Sequence, residues 1–285
     1  VAFRREDEPP PWLSSADEHG LIGPAERRWI DSSMAWFVRQ FGKDIALGDV
    51  ALPTPEFFHF LSVPTGAEEA LNALVSRARR LMAVDVSDIR VRLFTAEEHT
   101  SEATTVGHYD TEDGHHVIGI DRRQLADRTV LTAIVAHELC HVRLLGEGRI
   151  SWEREDHERL TDLLTVYLGF GVFTANAAMR FARAARGWQI MPRGYLSDEL
   201  LNGASSDLSS RRLGYLTQQE FGYALARYCW LRGERRPSWA AYLGPGARAA
   251  LTRALSHLAH DADDQEFRKP APEIALNNGW FLPFK

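Results

Sequence analysis

The chain has 285 residues, 45% hydrophobic and 25% charged, with a formal net charge of −6. This length and composition suit a globular protein with a sizeable core, and they exclude a fibrous or wholly disordered chain. The negative balance offers no attraction to nucleic acid or an anionic membrane, and two cysteines, Cys140 and Cys229, are too few for a disulfide framework. The expectation is a reducing, cytoplasmic setting without nucleic-acid or membrane partners.

Residues 1–20, which open VAFRREDEPPPWLSS, are charged and proline-rich, unlike a signal peptide. They are expected to form a flexible arm ahead of a single domain over 21–285. Pro24 suits the first turn of a helix in which Ile30, Met34, Val38 and Phe41 recur at helical spacing up to Gly42. Three prolines and the cluster Phe57-Phe58-His59-Phe60 between Gly48 and Thr65 predict packed irregular structure, with His59 buried among aromatics. A second helix is expected from Ala67 to Met82, with Leu71, Leu74, Val75 and Leu81 inward. Ile89–Phe94 alternates apolar and charged residues, as a half-buried strand does. Thr104–Tyr109 and His115–Ile120 flank Asp110–Gly114, whose Asp113-Gly114 pair favours a hairpin turn. His108, His115 and His116 on this hairpin read as surface histidines, because alternate strand residues face opposite ways and no carboxylate stands at ligand spacing.

The stretch Asp127–Gly146, DRTVLTAIVAHELCHVRLLG, reads as a helix with Asp127 as N-cap and Gly146 as its stop. His137 and His141 are four residues apart, so both imidazoles project from one helix face. Two neutral ring nitrogens so placed can share one metal ion at about 2.0–2.1 Å. Glu138 lies on the adjacent flank, placed to touch water on the metal rather than the metal itself. This is the zincin pattern, in which the Glu is the general base. Cys140 points differently from His141 and reads as a small core residue.

Trp152–Leu168 is expected to carry the next helix, opened by Asp156–Asp162, with Leu160, Leu163, Leu164 and Tyr167 apolar, and Glu158 and Asp162 four apart on one stripe. The charge-free run Leu163–Met179 contains Gly169, Gly171 and Asn176, and reads as a buried helix or helix pair rather than a membrane span. The two patterns together, His-Glu-x-x-His and Glu-x-x-x-Asp, resemble the gluzincin class of zinc metallopeptidases, thermolysin-like in the wide sense. The resemblance covers roughly residues 89–170. It implies Glu158 as third zinc ligand and Asp162 as acceptor for the other nitrogen of His137. His157 and Glu155 are rival third ligands, but only Glu158 has an Asp four residues on. Metzincins need Gly and His where this chain has Leu144 and Glu147. The stretch ending LTDLLTVYLGFGVFTAN is also similar to a group of uncharacterised bacterial His-Glu-x-x-His proteins, which brings no activity with it.

The C-terminal part, 190–285, is expected to be helical. Thr217 and Glu220 form a capping box for a helix to about Leu231, and a further helix runs from about Pro245 to His260. NGASSDLSSRR is loop-like, and narrow specificity or gating by its SSDLSS stretch is expected, while Trp280, Phe281 and Phe284 are expected to pack back. The fold class is therefore α+β: a helix-rich, zincin-like domain with a small mixed sheet of three to five strands beside the metal-binding helix.

Three protein ligands on zinc leave an open position, the catalytic arrangement. The expected function is a zinc metallopeptidase acting on a peptide or protein substrate, with Glu138 as base. The oxyanion donor that gluzincins draw from beyond the second helix is expected here from Tyr215 or Tyr223, with Tyr195 and His257 also eligible. In zincins the strand before the metal helix forms a sheet edge that pairs with substrate, a place expected of His115–Ile120. Two other classes compete: a partner-binding protein on a zincin fold, and a metal-dependent hydrolase of a small non-peptide amide. Oligomeric state is not legible.

Overall fold

The computed structural model describes residues 22–59, 66–86, 88–95, 107–184 and 216–261. The arm 1–20, Tyr195, NGASSDLSSRR, Tyr215 and the aromatic tail lie outside the described residues. Within them the chain forms an α+β structure of eight α-helices and one three-stranded mixed sheet.

Helix α1 (Pro24–Phe41) starts on its proline and stops at Gly42, whose φ of +79° an L side chain rarely adopts. It buries Ile30, Met34 and Phe37. A one-turn α2 (Lys43–Ala46) follows, then α3 (Ala67–Leu81), which buries Leu71, Leu74 and Val75 as expected and Ala78 besides, leaving Leu81 half-buried. His59 is exposed rather than packed; the buried ring of that cluster is Phe57, which meets Phe58, Phe170 and Phe173.

The sheet contains β1 (Ile89–Phe94), β2 (Gly107–Glu112) and β3 (His115–Asp121) in the order β1-β3-β2. The hairpin turns on Asp113 and Gly114, both with positive φ, so its first strand extends to Glu112 rather than stopping at Tyr109. β3 pairs parallel with β1 and antiparallel with β2. The expectation that His115–Ile120 forms the free edge is therefore corrected. Val117, Ile118, Gly119 and Ile120 are buried in succession, the signature of a strand covered on both faces. The edge beside the next helix is β2.

That helix, α4 (Arg128–His141), packs against the sheet, α3, α5 (His157–Tyr167) and α6 (Gly171–Ala184). Its whole length from Val130 to His141 is buried. The helical run ends at Gly146 as expected, but its α part stops at His141 and the last turn, Val142–Gly146, is π-helical. Gly146 also serves a close approach: a Cβ there would lie 2.7 Å from both the Tyr109 hydroxyl and the His116 ring. Arg128–Gly146 is long and apolar enough to cross a membrane, but 83% of its apolar window is buried within the protein.

The charge-free run 163–179 is a helix pair. Gly169 breaks it at φ +84°, where a Cβ would sit 2.8 Å from the Asp49 carbonyl oxygen, and its own carbonyl accepts the Ala51 N–H at 2.9 Å. Helix α7 (Gln218–Arg232) opens with the expected Thr217/Glu220 capping box and lies against α8 (Pro245–Asp261). Gly222 makes that approach possible, because a Cβ there would come within 2.4 Å of Ala250 Cβ and 2.7 Å of its carbonyl carbon. Gly222→Ala gains about 1 kcal/mol of helix propensity but overpacks a rigid backbone contact at about 1–3 kcal/mol. The expected result is a lower urea midpoint with an unchanged m-value.

Candidate metal centre

Helix α4 is launched by Asp127, whose carboxylate accepts the N–H groups of Thr129 and Val130 at 3.0 and 3.1 Å. Its hydrophobic residues hold it in the middle of the core, and this carries His137, Glu138 and His141 inside as well, at 8%, 4% and 5% exposure. Three such groups are costly to bury without partners. They do not form a solvated helix face.

The partners come from α5. Glu158 Oε2 lies 3.1 Å from His137 Nε2 and 3.5 Å from His141 Nε2. Donor atoms around a tetrahedral ion at 2.0–2.1 Å are separated by about 3.3–3.4 Å. The two distances from Glu158 are of that size and the three donor atoms lie within 4.8 Å of one another, so His137, His141 and the half-buried Glu158 form one group able to hold a metal ion. The outer ring nitrogens are also engaged. His137 Nδ1 is 2.9 Å from Asp162 Oδ1, and Asp162 Oδ2 accepts the Leu216 N–H at 3.0 Å. His141 Nδ1 is 3.3 Å from Thr161 Oγ1.

Electrostatics follow from this crowding. Burial alone would depress the His137 imidazole, but hydrogen bonds to Asp162 and Glu158 outweigh it and hold the group well above its usual value. Burial would raise Glu158, yet hydrogen bonds from both histidines hold it well below the usual carboxylate range. Burial, with the charge of His137, pushes His141 down, towards the neutral form a metal requires. Glu138 is different. Burial lifts its carboxyl to about 7; the charge of His137 pulls it down and that of Glu158 pushes it up. Among the described residues its buried Oε2 has no hydrogen-bond partner. Gly107, the first residue of β2, packs directly over it: a Cβ there would lie 2.7 Å from Glu138 Oε1. A free acceptor beside the ligand group fits a centre where a further species sits.

The rival ligands are placed elsewhere. Glu155 is exposed. His157 turns Nδ1 to the Arg154 carbonyl oxygen at 2.8 Å and Nε2 to Glu158 Oε1 at 3.3 Å, so it borders the centre through Glu158. Helix α5 begins at His157 after Asp156, as the sequence suggests, with Asp156 engaged by Trp29 Nε1 at 2.7 Å and by Arg154. The loop before it leaves Trp152 53% exposed, its indole nearly parallel to Tyr109 at 5.8 Å and to His141 at 6.4 Å. Tyr109 reaches His116 Nδ1 through its hydroxyl at 2.7 Å. These rings wall the His141 side.

Of the expected oxyanion donors, Tyr223 is described. Its ring is buried on α7 and its hydroxyl donates to both Asp31 oxygens at 3.2 Å, so the structure gives it a partner on α1. Burial, with the charge of Asp31, pushes the phenol up to about 12. His257 likewise meets Arg27 Nη1 at 2.8 Å. Cys140 and Cys229 are free and buried, in keeping with a core role.

The residue that sequence reasoning misses is Thr161. The available signal is its position three after Glu158 and one before Asp162, on the same helical stripe.

No family model matches the chain, and comparison with curated proteins and with solved structures finds no match either. The gluzincin resemblance therefore rests on residues 137–162 themselves.

Proposed function

We propose that the chain is a zinc-dependent metallopeptidase of gluzincin type, with His137, His141 and Glu158 as ligands and Glu138 as general base. The observation that carries this reading is the pairing of a converged ligand group with a buried carboxylate beside it, one oxygen of which has no partner among the described residues. Zinc held there supplies Lewis-acid pull on a carbonyl and a water made acidic enough to act as nucleophile near neutral pH. Glu138, buried beside the ligand group with a free oxygen among the described residues, is placed to take a proton and return it to a leaving amine. Asp162 holds the His137 ring from its outer nitrogen.

An unpartnered buried acceptor costs about 1–3 kcal/mol of stability. A protein that merely bound a partner on this fold has no use for that cost, since Glu138 is not needed to hold the ion. A peptide substrate is supported by β2, the edge strand whose first residue, Gly107, lies against Glu138. An extended chain added to that edge passes the base.

The test begins with metal. Protein purified without added metal is expected to contain about one zinc per chain, and His141→Ala is expected to lose it. Equal zinc in the two proteins by elemental analysis would defeat the assignment. A peptide-library digest read by mass spectrometry then tests hydrolysis. If the zinc-loaded parent cuts nothing, the partner-binding reading replaces this one.

A further inference from the structure

On the reading that His137, His141 and Glu158 hold a metal, we propose that Thr161 is the positioning residue for His141, setting which ring nitrogen carries the proton. His141 turns Nε2 towards Glu158 Oε2, so Nε2 is the nitrogen facing the ligand group. It can ligate only if its lone pair is free, which places the imidazole proton on Nδ1. Nδ1 faces Thr161 Oγ1 at 3.3 Å.

A threonine hydroxyl is in general free to donate or accept. Here the choice is removed. The Thr161 hydroxyl donates to the His157 carbonyl oxygen at 2.8 Å, one helical turn back. Only lone pairs then remain for His141, and lone pairs accept Nδ1–H. The residue is fully buried, so water does not compete for either bond. Its β-branch restricts χ1, which keeps the hydroxyl on His157.

The arrangement also explains why one helix suffices. Glu158, Thr161 and Asp162 stand at i, i+3 and i+4 on α5, a single stripe. The stripe supplies the third ligand, the acceptor for His141 and the acceptor for His137. The two histidines are supported differently. Asp162 brings a charge that strengthens His137 as a donor, whereas the Thr161 hydroxyl orients His141 without adding charge to a crowded core.

The experiment titrates the metal-free protein with zinc chloride against a chromophoric chelator, and reads nitrogen-15 histidine spectra of the same samples. Thr161→Val, which removes the acceptor and keeps the shape, is expected to weaken zinc binding by about 10–100-fold. Thr161→Ser, which restores the hydroxyl, is expected to recover most of that loss. With zinc bound, so that Nε2 is taken by the metal, the His141 Nδ1–H is expected to be protected from solvent exchange in the parent and in Thr161→Ser, and to exchange faster in Thr161→Val. Thr161→Ala adds no bulk and carries the same expectation if the valine variant melts below the titration temperature. Equal affinity and equal Nδ1–H exchange in parent and Thr161→Val overturn the role of Thr161 and leave the metal centre standing. A parent that binds zinc no better than His141→Ala overturns the centre itself, whatever the exchange rates.

Discussion

Glu138→Gln is expected to keep its zinc and its fold while losing hydrolysis by roughly 10²–10⁴-fold, the usual worth of a positioned general base. The amide has the size and shape of the carboxylate, so the packing between Gly107 and Ile134 is undisturbed. What it lacks is the capacity to take a proton. Because the parent carboxylate is buried with one oxygen unpartnered, its neutral replacement is expected to leave the melting temperature of the metal-free protein unchanged or raise it. Zinc titration, calorimetry and library digestion on one preparation separate these effects. A Glu138→Gln protein that cleaves as well as the parent removes Glu138 from the mechanism. One that loses zinc as well makes Glu138 part of the binding group.

Glu158→Gln is expected to weaken zinc by more than the 10–100-fold that loss of an outer partner typically costs, because it removes a charged ligand. It also leaves two buried histidines facing an amide in place of the anion that both now approach. Asp162→Asn removes a charge one step further out, where Asp162 joins His137 Nδ1 to the Leu216 N–H. Its expected cost lies within that 10–100-fold range, below that of Glu158→Gln. The order of the two affinities, measured in one competition assay, is the test. A larger loss for Asp162→Asn would move the ligand role away from Glu158.

Much of this centre is legible in the amino-acid sequence. Spacing alone places His137 with His141, and Glu158 with Asp162, on single faces of their helices, and Asp127 and Thr217 announce themselves as caps. Such features depend on neighbours within four residues, and a helix has one period whatever surrounds it. The hairpin turn at Asp113-Gly114 is readable for the same reason. What the sequence leaves open is decided by contacts from far along the chain. The hydroxyl of Tyr223, for example, meets Asp31, 192 residues away. The zincin resemblance implies an edge for His115–Ile120, but strand order is set by which surfaces the core can bury, and among the described residues the edge falls to β2.

The sequence by itself thus determined the α+β class, the main helices and the pair of motifs, because each follows from local periodicity and capping. Only the tertiary structure decided that α4 and α5 meet with Glu158 facing both Nε2 atoms, that Glu138 has an oxygen without a partner, and that Thr161 faces His141. A helix fixes the direction of its own side chains and nothing about its neighbour. The axial offset and rotation that bring two such faces together come from packing every element against one core, and that sum over distant residues is not written in any local stretch.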